Sequence, residues 1–389
     1  EGNLEPITDM RFDSIPPFRP QAEKKDIERA LDLLQQAERP VIVSGGGVKH
    51  SKAGPQLLKL AESLRIPVAT SLNGKDTFLA NHPLSAGVVG TYSRGSANRV
   101  VSEADLICFI GSKTGGMTTH FWQVPPIGSN AIQIDIDPEA IGRNYTLKAA
   151  VQGDARSVLE VMISLMDPST ATRRDRWSQQ VKEFVDNWYT EYDPLLKSDA
   201  TPIRPERLCN DLTRLLPDDS LVVVDTGHAG MWMGGMFDVT STSQNYVRSA
   251  GHLGWAFPAG LGAKCALPER PVVCFTGDAG FWYHIAEIET AVRWNINSIT
   301  LVNNNSAGNQ SKTGFDKAYG GTQTEQAKEI WNFTKVNFAN IANEIGALGI
   351  RVEKPGDFNS ALDQALSANR PVIIDVVTDV DAIAPIAVT

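Results

Sequence analysis

Asp278 and Asn305 stand 27 positions apart, each just past a run of apolar residues. The first run, Pro271 to Phe275, leads into Thr276-Gly277-Asp278. The second, Ile299 to Val302, ends in Asn303-Asn304-Asn305. Between them Ile285, Ile288, Ala291 and Val292 recur at the spacing of one buried helical face, which predicts a helix over about 284–293. The unit reads as strand–helix–strand. Its polar residues fall beyond the carboxyl ends of two parallel strands, where open α/β sheets place ligands. A carboxylate and an amide oxygen so placed can share Mg²⁺, which takes oxygen ligands and keeps phosphate oxygens among them. Glycines beside Asp278 let backbone N–H groups approach a phosphate, and the start of a helix adds a favourable dipole. The spacing predicts a Mg²⁺-diphosphate site. The alternative is an ordinary crossover with a turn Asp and a turn Asn.

The rest of the chain must position these residues. Its 389 residues are 42% apolar and 21% charged, enough for two or three globular domains with large cores. A net charge of −9 argues against nucleic acid or an anionic membrane as the main partner. No apolar run reaches the length of a membrane span. Cys108, Cys209, Cys265 and Cys274 lie far apart without a CxxC pair and read as free buried thiols in a reducing compartment, the cytoplasm.

Residues 1–21, with Pro6, Pro16, Pro17 and Pro20, read as an extended linker. Residues 22–165 alternate helix and strand patterns. Ile27, Ala30, Leu31 and Leu34 mark a helical face, and Pro40 to Ser44, Ile66 to Ala69, Ala104 to Ile110 and Ala131 to Asp137 mark strands. That alternation predicts a doubly wound parallel sheet. Ser44-Gly45-Gly46-Gly47 hints at a dinucleotide turn but lacks the full glycine frame, so a tight turn is the plainer reading. Residues 166–202 read as a polar connector with a helical patch near Trp177 to Trp188. Residues 203–389 form a second α/β domain that contains the opening motif. The polar, glycine-containing stretch from Ser306 to Tyr319 reads as a mobile loop over the site.

Gly277-Asp278-Ala279 followed by Asn304-Asn305 resembles the thiamine diphosphate motif of the acetolactate synthase, benzoylformate decarboxylase and 2-hydroxyacyl lyase group. The resemblance extends through 22–165, which is similar to the middle domain of acetolactate synthase-like proteins. It rests there on Pro67-Val68-Ala69, His82-Pro83-Leu84-Ser85, Asp135-Ile136-Asp137-Pro138 and Gly153-Asp154-Ala155. It implies two doubly wound α/β domains, a Rossmann-like middle domain and a diphosphate-binding domain. It also implies thiamine diphosphate with Mg²⁺, held by Asp278, Asn305 and the Ala307 carbonyl. Cofactor contacts are expected from Gly227, His228, Ala229, Gly251, Leu253, Gly277, Asp278, Ala279, Gly280, Asn305, Ala307 and Gly308. Leu253 would prop the bent cofactor, the Gly251 carbonyl would accept from its 4′-amino group, and His252 is the candidate acid/base group near the reacting carbon. Ala279 departs from the usual glycine and fits only with a negative φ.

In several relatives the middle domain holds FAD or ADP. Here Ser112-Lys113-Thr114-Gly115-Gly116 replaces the run expected after the strand-end glycine, which tells against FAD. No stretch resembles the pyrimidine-binding domain that supplies a glutamate to the cofactor. The expectation is therefore a separate or cleaved partner chain, in a dimer of heterodimers or a higher assembly. The implied chemistry is cleavage or formation of a C–C bond beside a carbonyl: decarboxylation, lysis or carboligation. A nucleotide-binding regulatory subunit and a nicotinamide oxidoreductase are the alternatives.

Overall fold

The computed structural model describes residues 9, 12, 14–249 and 251–384. The chain divides into two compact units, with the boundary between Asn187 and Trp188. That boundary falls inside the stretch expected to be a connector, within a single helix, Asp175–Leu196.

The first unit holds six strands: β1 (Pro40–Ser44), β2 (Val68–Thr70), β3 (Ser85–Val88), β4 (Leu106–Ile110), β5 (Ala131–Asp135) and β6 (Leu147–Gln152). They pair in parallel in the order β3-β2-β1-β4-β5-β6. Successive residues of each central strand serve opposite cores. In β4, Cys108 and Ile110 pack with the helix Lys24–Gln36 and its neighbours, whereas Ile107 and Phe109 pack with Trp177, Val181 and Phe184. Both faces are covered, which is why these strands read as continuous apolar runs rather than alternating ones.

Chain direction reverses between β1 and β4, and two glycine turns meet there. A Cβ on Gly45 would lie 2.1 Å from the Gly111 carbonyl oxygen, and one on Gly47 would lie 2.6 Å from the Gly111 Cα. The glycines after β1 serve this backbone-to-backbone contact, in keeping with a tight turn rather than a dinucleotide fingerprint. Gly45→Ala is expected to destabilise the first unit by about 2–3 kcal/mol, because backbone on both sides cannot yield. Faster hydrogen exchange in β1 and β4 would report it.

The second unit holds β7 (Leu221–Val224), β8 (Asn245–Arg248), β9 (Val272–Gly277), β10 (Ile299–Asn304), β11 (Leu348–Val352) and β12 (Val372–Val377). Its order is β11-β12-β10-β9-β7-β8, again all parallel. Both units are doubly wound α/β folds, as the alternation predicts. In this sheet the reversal lies between β7 and β9, so a crevice opens beyond their carboxyl ends.

Two local expectations need correction. The segment after β10 is not an open loop: Asn309–Ala318 is a helix, followed by a second helix, Glu325–Trp331. Its glycines sit at the ends or on the surface, Phe315 stacks on Tyr319 at 4.4 Å, and Lys312 lies over the Trp331 ring. The expected helix over 284–293 is shorter, Glu287–Arg293, and is preceded by a separate turn of helix, Asp278–Trp282. Cys108, Cys209 and Cys274 are buried as expected, but Cys265, near the end of the helix Ala256–Ala266, is exposed rather than buried. Among the described residues no helix is long and apolar enough to cross a membrane.

Candidate active site

A cavity of about 540 Å³ lies at the β7/β9 reversal of the second unit. Four segments supply most of its lining, and Ile330 and Phe333 add to it. Residues Asp225 to Ala229 follow β7, Leu253 comes from the turn before the helix Ala256–Ala266, Gly277 to Gly280 follow β9, and Asn303 to Ser311 end β10. Parallel pairing sets the last two side by side, with Asn303 opposite Gly277.

Asp278 is the first residue of its helix and only 3% exposed. One carboxylate oxygen, Oδ1, accepts from the Ala279 N–H at 2.7 Å. The other, Oδ2, accepts from the Ala307 N–H at 3.1 Å. Asn305 Oδ1 accepts from that same Ala307 N–H, also at 3.1 Å. The two side-chain oxygens singled out by spacing therefore converge on one point. Burial pushes the Asp278 carboxyl up to about 6, although backbone N–H groups from Ala279, Ala307, Ser306 and Asn305 oppose the shift. A buried carboxylate beside an amide oxygen is a donor set for a hard divalent cation, whose charge would offset that burial.

Asn304 has a different task. Its Nδ2 donates to Asp375 Oδ1 at 2.8 Å and to the Val336 carbonyl at 3.0 Å, while its Oδ1 accepts from the Ser306 N–H at 3.2 Å. Asp375 is fully buried in β12, and its Oδ2 accepts from the Phe338 N–H and pairs with Arg351. This network holds Ser306 at φ 56°, the turn that presents Asn305 and Ala307 to Asp278. Removing Asp375 would take one of two acceptors from the buried Asn304 amide and leave the Phe338 N–H without its partner. Asp375→Ala is expected to cost about 3 kcal/mol, read as a fall in denaturation midpoint, with faster exchange at the Ser306 and Ala307 amides.

Around the rest of the cavity the backbone is shaped for close approach. Gly227 has φ 66°, a left-handed conformation suited to glycine, and it caps the helix His228–Gly235. Its missing side chain leaves room beside Leu253 and Gln310. Ala279 is helical with a negative φ, so the departure from glycine is accommodated. Gly280 is the strict position, since a Cβ there would meet Asp225 Oδ2 at 2.6 Å. His228 lines the cavity, its Nδ1 is buried without a partner, and burial lowers its pKa to about 4, so the ring is neutral rather than charged. Asn303 also lines the cavity with a buried, unpartnered Oδ1. These two orphaned polar atoms indicate that a polar ligand belongs here.

The cavity brings together Gly227, His228, Ala229, Leu253, Gly277, Asp278, Ala279, Gly280, Asn305, Ala307 and Gly308. Gly251 and His252 stand outside its lining and are exposed, with Gly251 at φ 84°, while Leu253 is 40% exposed at the rim. Sequence reasoning missed Asp225 and Asn303 as lining residues. An acidic residue directly at a strand's carboxyl end, the feature that exposed Asp278, was the available signal for Asp225.

In the first unit a cleft of about 390 Å³ lies at the β1/β4 reversal and includes Gly47, Lys113, Asp135, Asp137 and Asp154. Lys113 pairs with Asp137 at 3.3 Å, and burial raises the Asp135 pKa.

Two doubly wound α/β units, with a crevice beyond the strand ends of the second, define a ligand-binding α/β scaffold. The family description "Thiamine pyrophosphate enzyme, central domain" matches residues 27–162, and "Thiamine pyrophosphate enzyme, C-terminal TPP binding domain" matches residues 225–376. The chain belongs to the thiamine diphosphate-dependent enzyme family. It is 32% identical over 370 residues to the "Probable acetolactate synthase large subunit" of Methanococcus aeolicus, covering 91% of this chain and 60% of that protein. It is 31% identical over 366 residues to acetolactate synthase isozyme 3 large subunit of Escherichia coli K12, covering 92% and 62%. With glyoxylate carboligase of Escherichia coli O157:H7 it shares 30% over 386 residues, covering 95% and 64%. The chain thus spans about three fifths of the length of these relatives.

Proposed function

We propose that this chain carries the diphosphate- and Mg²⁺-binding part of a thiamine diphosphate site that serves carboligation of 2-oxo acids. The observation that carries the reading is the convergence of Asp278 Oδ2 and Asn305 Oδ1 on the Ala307 N–H. Asp278 and Asn305, with the Ala307 carbonyl, are the proposed Mg²⁺ ligands. The start of the helix His228–Gly235 directs free N–H groups and a favourable dipole towards a diphosphate, and the neutral His228 ring donates to it. Leu253 at the rim gives the cofactor an apolar prop. The cofactor, when bound, supplies a carbanion that attacks a carbonyl and holds the resulting electron pair. The protein residues bind, bend and shield it.

Carboligation is preferred over simple decarboxylation because acetolactate synthases and a glyoxylate carboligase are among the relatives. The cavity lining holds no glutamate among the described residues. A second polypeptide or segment carrying a pyrimidine-binding surface completes the site in this reading, within an assembly built from more than one chain. A nucleotide in the cleft of the first unit finds less support, since Lys113, the lysine that lines it, is already paired with Asp137.

The test is incubation of the purified protein, with whatever protein co-purifies, with thiamine diphosphate, Mg²⁺ and either pyruvate or glyoxylate. Release of CO₂ together with a coupled hydroxy-carbonyl product is expected. CO₂ release with an aldehyde as sole product would replace carboligation by decarboxylation. Absence of Mg²⁺-dependent cofactor binding would sink the reading.

A further inference from the structure

Asp225 closes β7 and is 1% exposed. Its carboxylate joins three segments of the second unit. Oδ1 accepts from the Thr226 N–H at 2.8 Å, both oxygens accept from the Gly254 N–H at 3.0–3.1 Å, and Oδ2 accepts from the Thr276 hydroxyl at 2.7 Å. The clasp therefore ties the end of β7 to the end of β9 and to the turn that carries Leu253.

Every donor in this clasp is neutral. Among the described residues no Lys or Arg forms an ion pair with Asp225; the Arg248 guanidinium donates instead to the neighbouring Thr226 hydroxyl at 3.3 Å. Burial raises the Asp225 pKa against those hydrogen bonds, which marks the uncompensated cost of holding a charge here. An asparagine would hold the same clasp without that cost. Its Oδ1 would accept from the Thr226 and Gly254 N–H groups. Its Nδ2 would donate to the Thr276 oxygen, whose own proton already has a second acceptor in the Gly277 carbonyl at 3.1 Å. Hydrogen bonding does not explain a carboxylate at this position, whereas a cation that enters the cavity does, because a buried charge is favourable once it is paired.

Asp225 lines the same cavity as Asp278, and its carboxylate is bonded to Thr226, Gly254 and Thr276 rather than to the proposed Mg²⁺ ligands. The Leu253 turn is bonded to it through the Gly254 N–H. We infer that Asp225 is a fixed counter-charge for the cationic azolium ring of thiamine diphosphate, built into the clasp that positions Leu253 beside that ring. This rests on the thiamine diphosphate reading above.

The test compares two ligands that differ in that one charge. Thiamine diphosphate and its neutral isostere, in which a thiophene replaces the azolium, are titrated calorimetrically with Mg²⁺ into the full chain with any co-purifying protein, and into its Asp225→Asn and Asp225→Ala variants. Asp225→Asn is expected to weaken binding of the cationic cofactor by about tenfold or more and to leave the neutral isostere within about twofold. Asp225→Ala, which also opens the clasp, weakens both. Equal changes for the two ligands in Asp225→Asn, or no change for either, would overturn the counter-charge role while leaving the cofactor reading intact. If the unaltered protein binds neither ligand, the cofactor reading fails and this inference fails with it. Hydrogen exchange at Gly254 and Thr226 checks that the asparagine variant keeps the clasp.

Discussion

Asp278→Ala is expected to weaken Mg²⁺-dependent binding of thiamine diphosphate by about 100-fold or more, with little loss of folded stability. The two halves of this expectation have one cause. The carboxylate lies almost wholly out of water, and burial lifts its pKa to about 6. In the ligand-free chain that charge is a cost, only partly offset by the N–H groups of Ala279 and Ala307. A divalent cation beside Asn305 Oδ1 would turn the cost into the main attraction of the site. Alanine removes the attraction and the cost together. Asp278→Asn makes the sharper comparison, because it keeps the shape and an acceptor for one N–H while losing the charge. Calorimetric titration with and without Mg²⁺ measures the first half, and a denaturant series on the ligand-free protein measures the second. A variant that still binds the cofactor tightly and only with Mg²⁺ would remove Asp278 from the metal site. A variant that unfolds would assign it a structural role instead.

What could be read in the sequence follows a physical line. Apolar runs with period-specific spacing mark strands and helices because both are set by neighbours along the chain. Both doubly wound sheets and the side-by-side placement of Asp278 and Asn305 were legible for that reason. Interactions fixed by strand order were not. Asn304 and Asn305 are adjacent and chemically identical, yet one is bonded to Asp375 and Val336 and the other faces the cavity. Nothing local distinguishes them, because the deciding residue is 71 positions away on a strand that pairs with β10 only in the folded sheet. Gly280 is constrained by Asp225, which is contributed by another strand, whereas Ala279 tolerates a side chain because its helical backbone needs no positive φ. The helix Asn309–Ala318 was hidden by its composition. Its polar residues and Gly314 resemble a loop, and its stability comes from contacts with the helix Glu325–Trp331 that a local window does not contain. His252, singled out by its position in a motif, is exposed and lies outside the cavity lining.

Arg174→Met is expected to be among the most damaging single changes in the first unit, costing about 3–5 kcal/mol, although the residue lies in a stretch whose sequence reads as a polar connector. Its guanidinium is fully buried and has no carboxylate partner among the described residues. It donates instead to backbone carbonyls: Nη1 to Leu64 at 2.8 Å, Nη2 to Leu34 and to Gln35 at 3.0 Å, and Nε to Ala37 at 3.2 Å. Leu34 and Gln35 lie in the last turn of the helix Lys24–Gln36, and Leu64 ends the helix Gly54–Leu64. The last carbonyls of a helix have no partner within it and carry the negative end of its dipole, so one cation caps two helix ends at once. Burial lowers the Arg174 pKa to about 10, yet the group stays charged at neutral pH, which the carbonyl cluster requires. Methionine fills much of the volume but leaves those carbonyls buried and unsatisfied. Lysine restores the charge without the planar fork, so Arg174→Lys should recover only part of the loss. Because the two helices share one cap, the amides of Lys24–Gln36 and Gly54–Leu64 should lose hydrogen-exchange protection together, while those of β9 and β10 in the second unit keep theirs. Loss confined to one helix would show that the other is capped independently, and loss spread equally over both units would mean that they unfold as one.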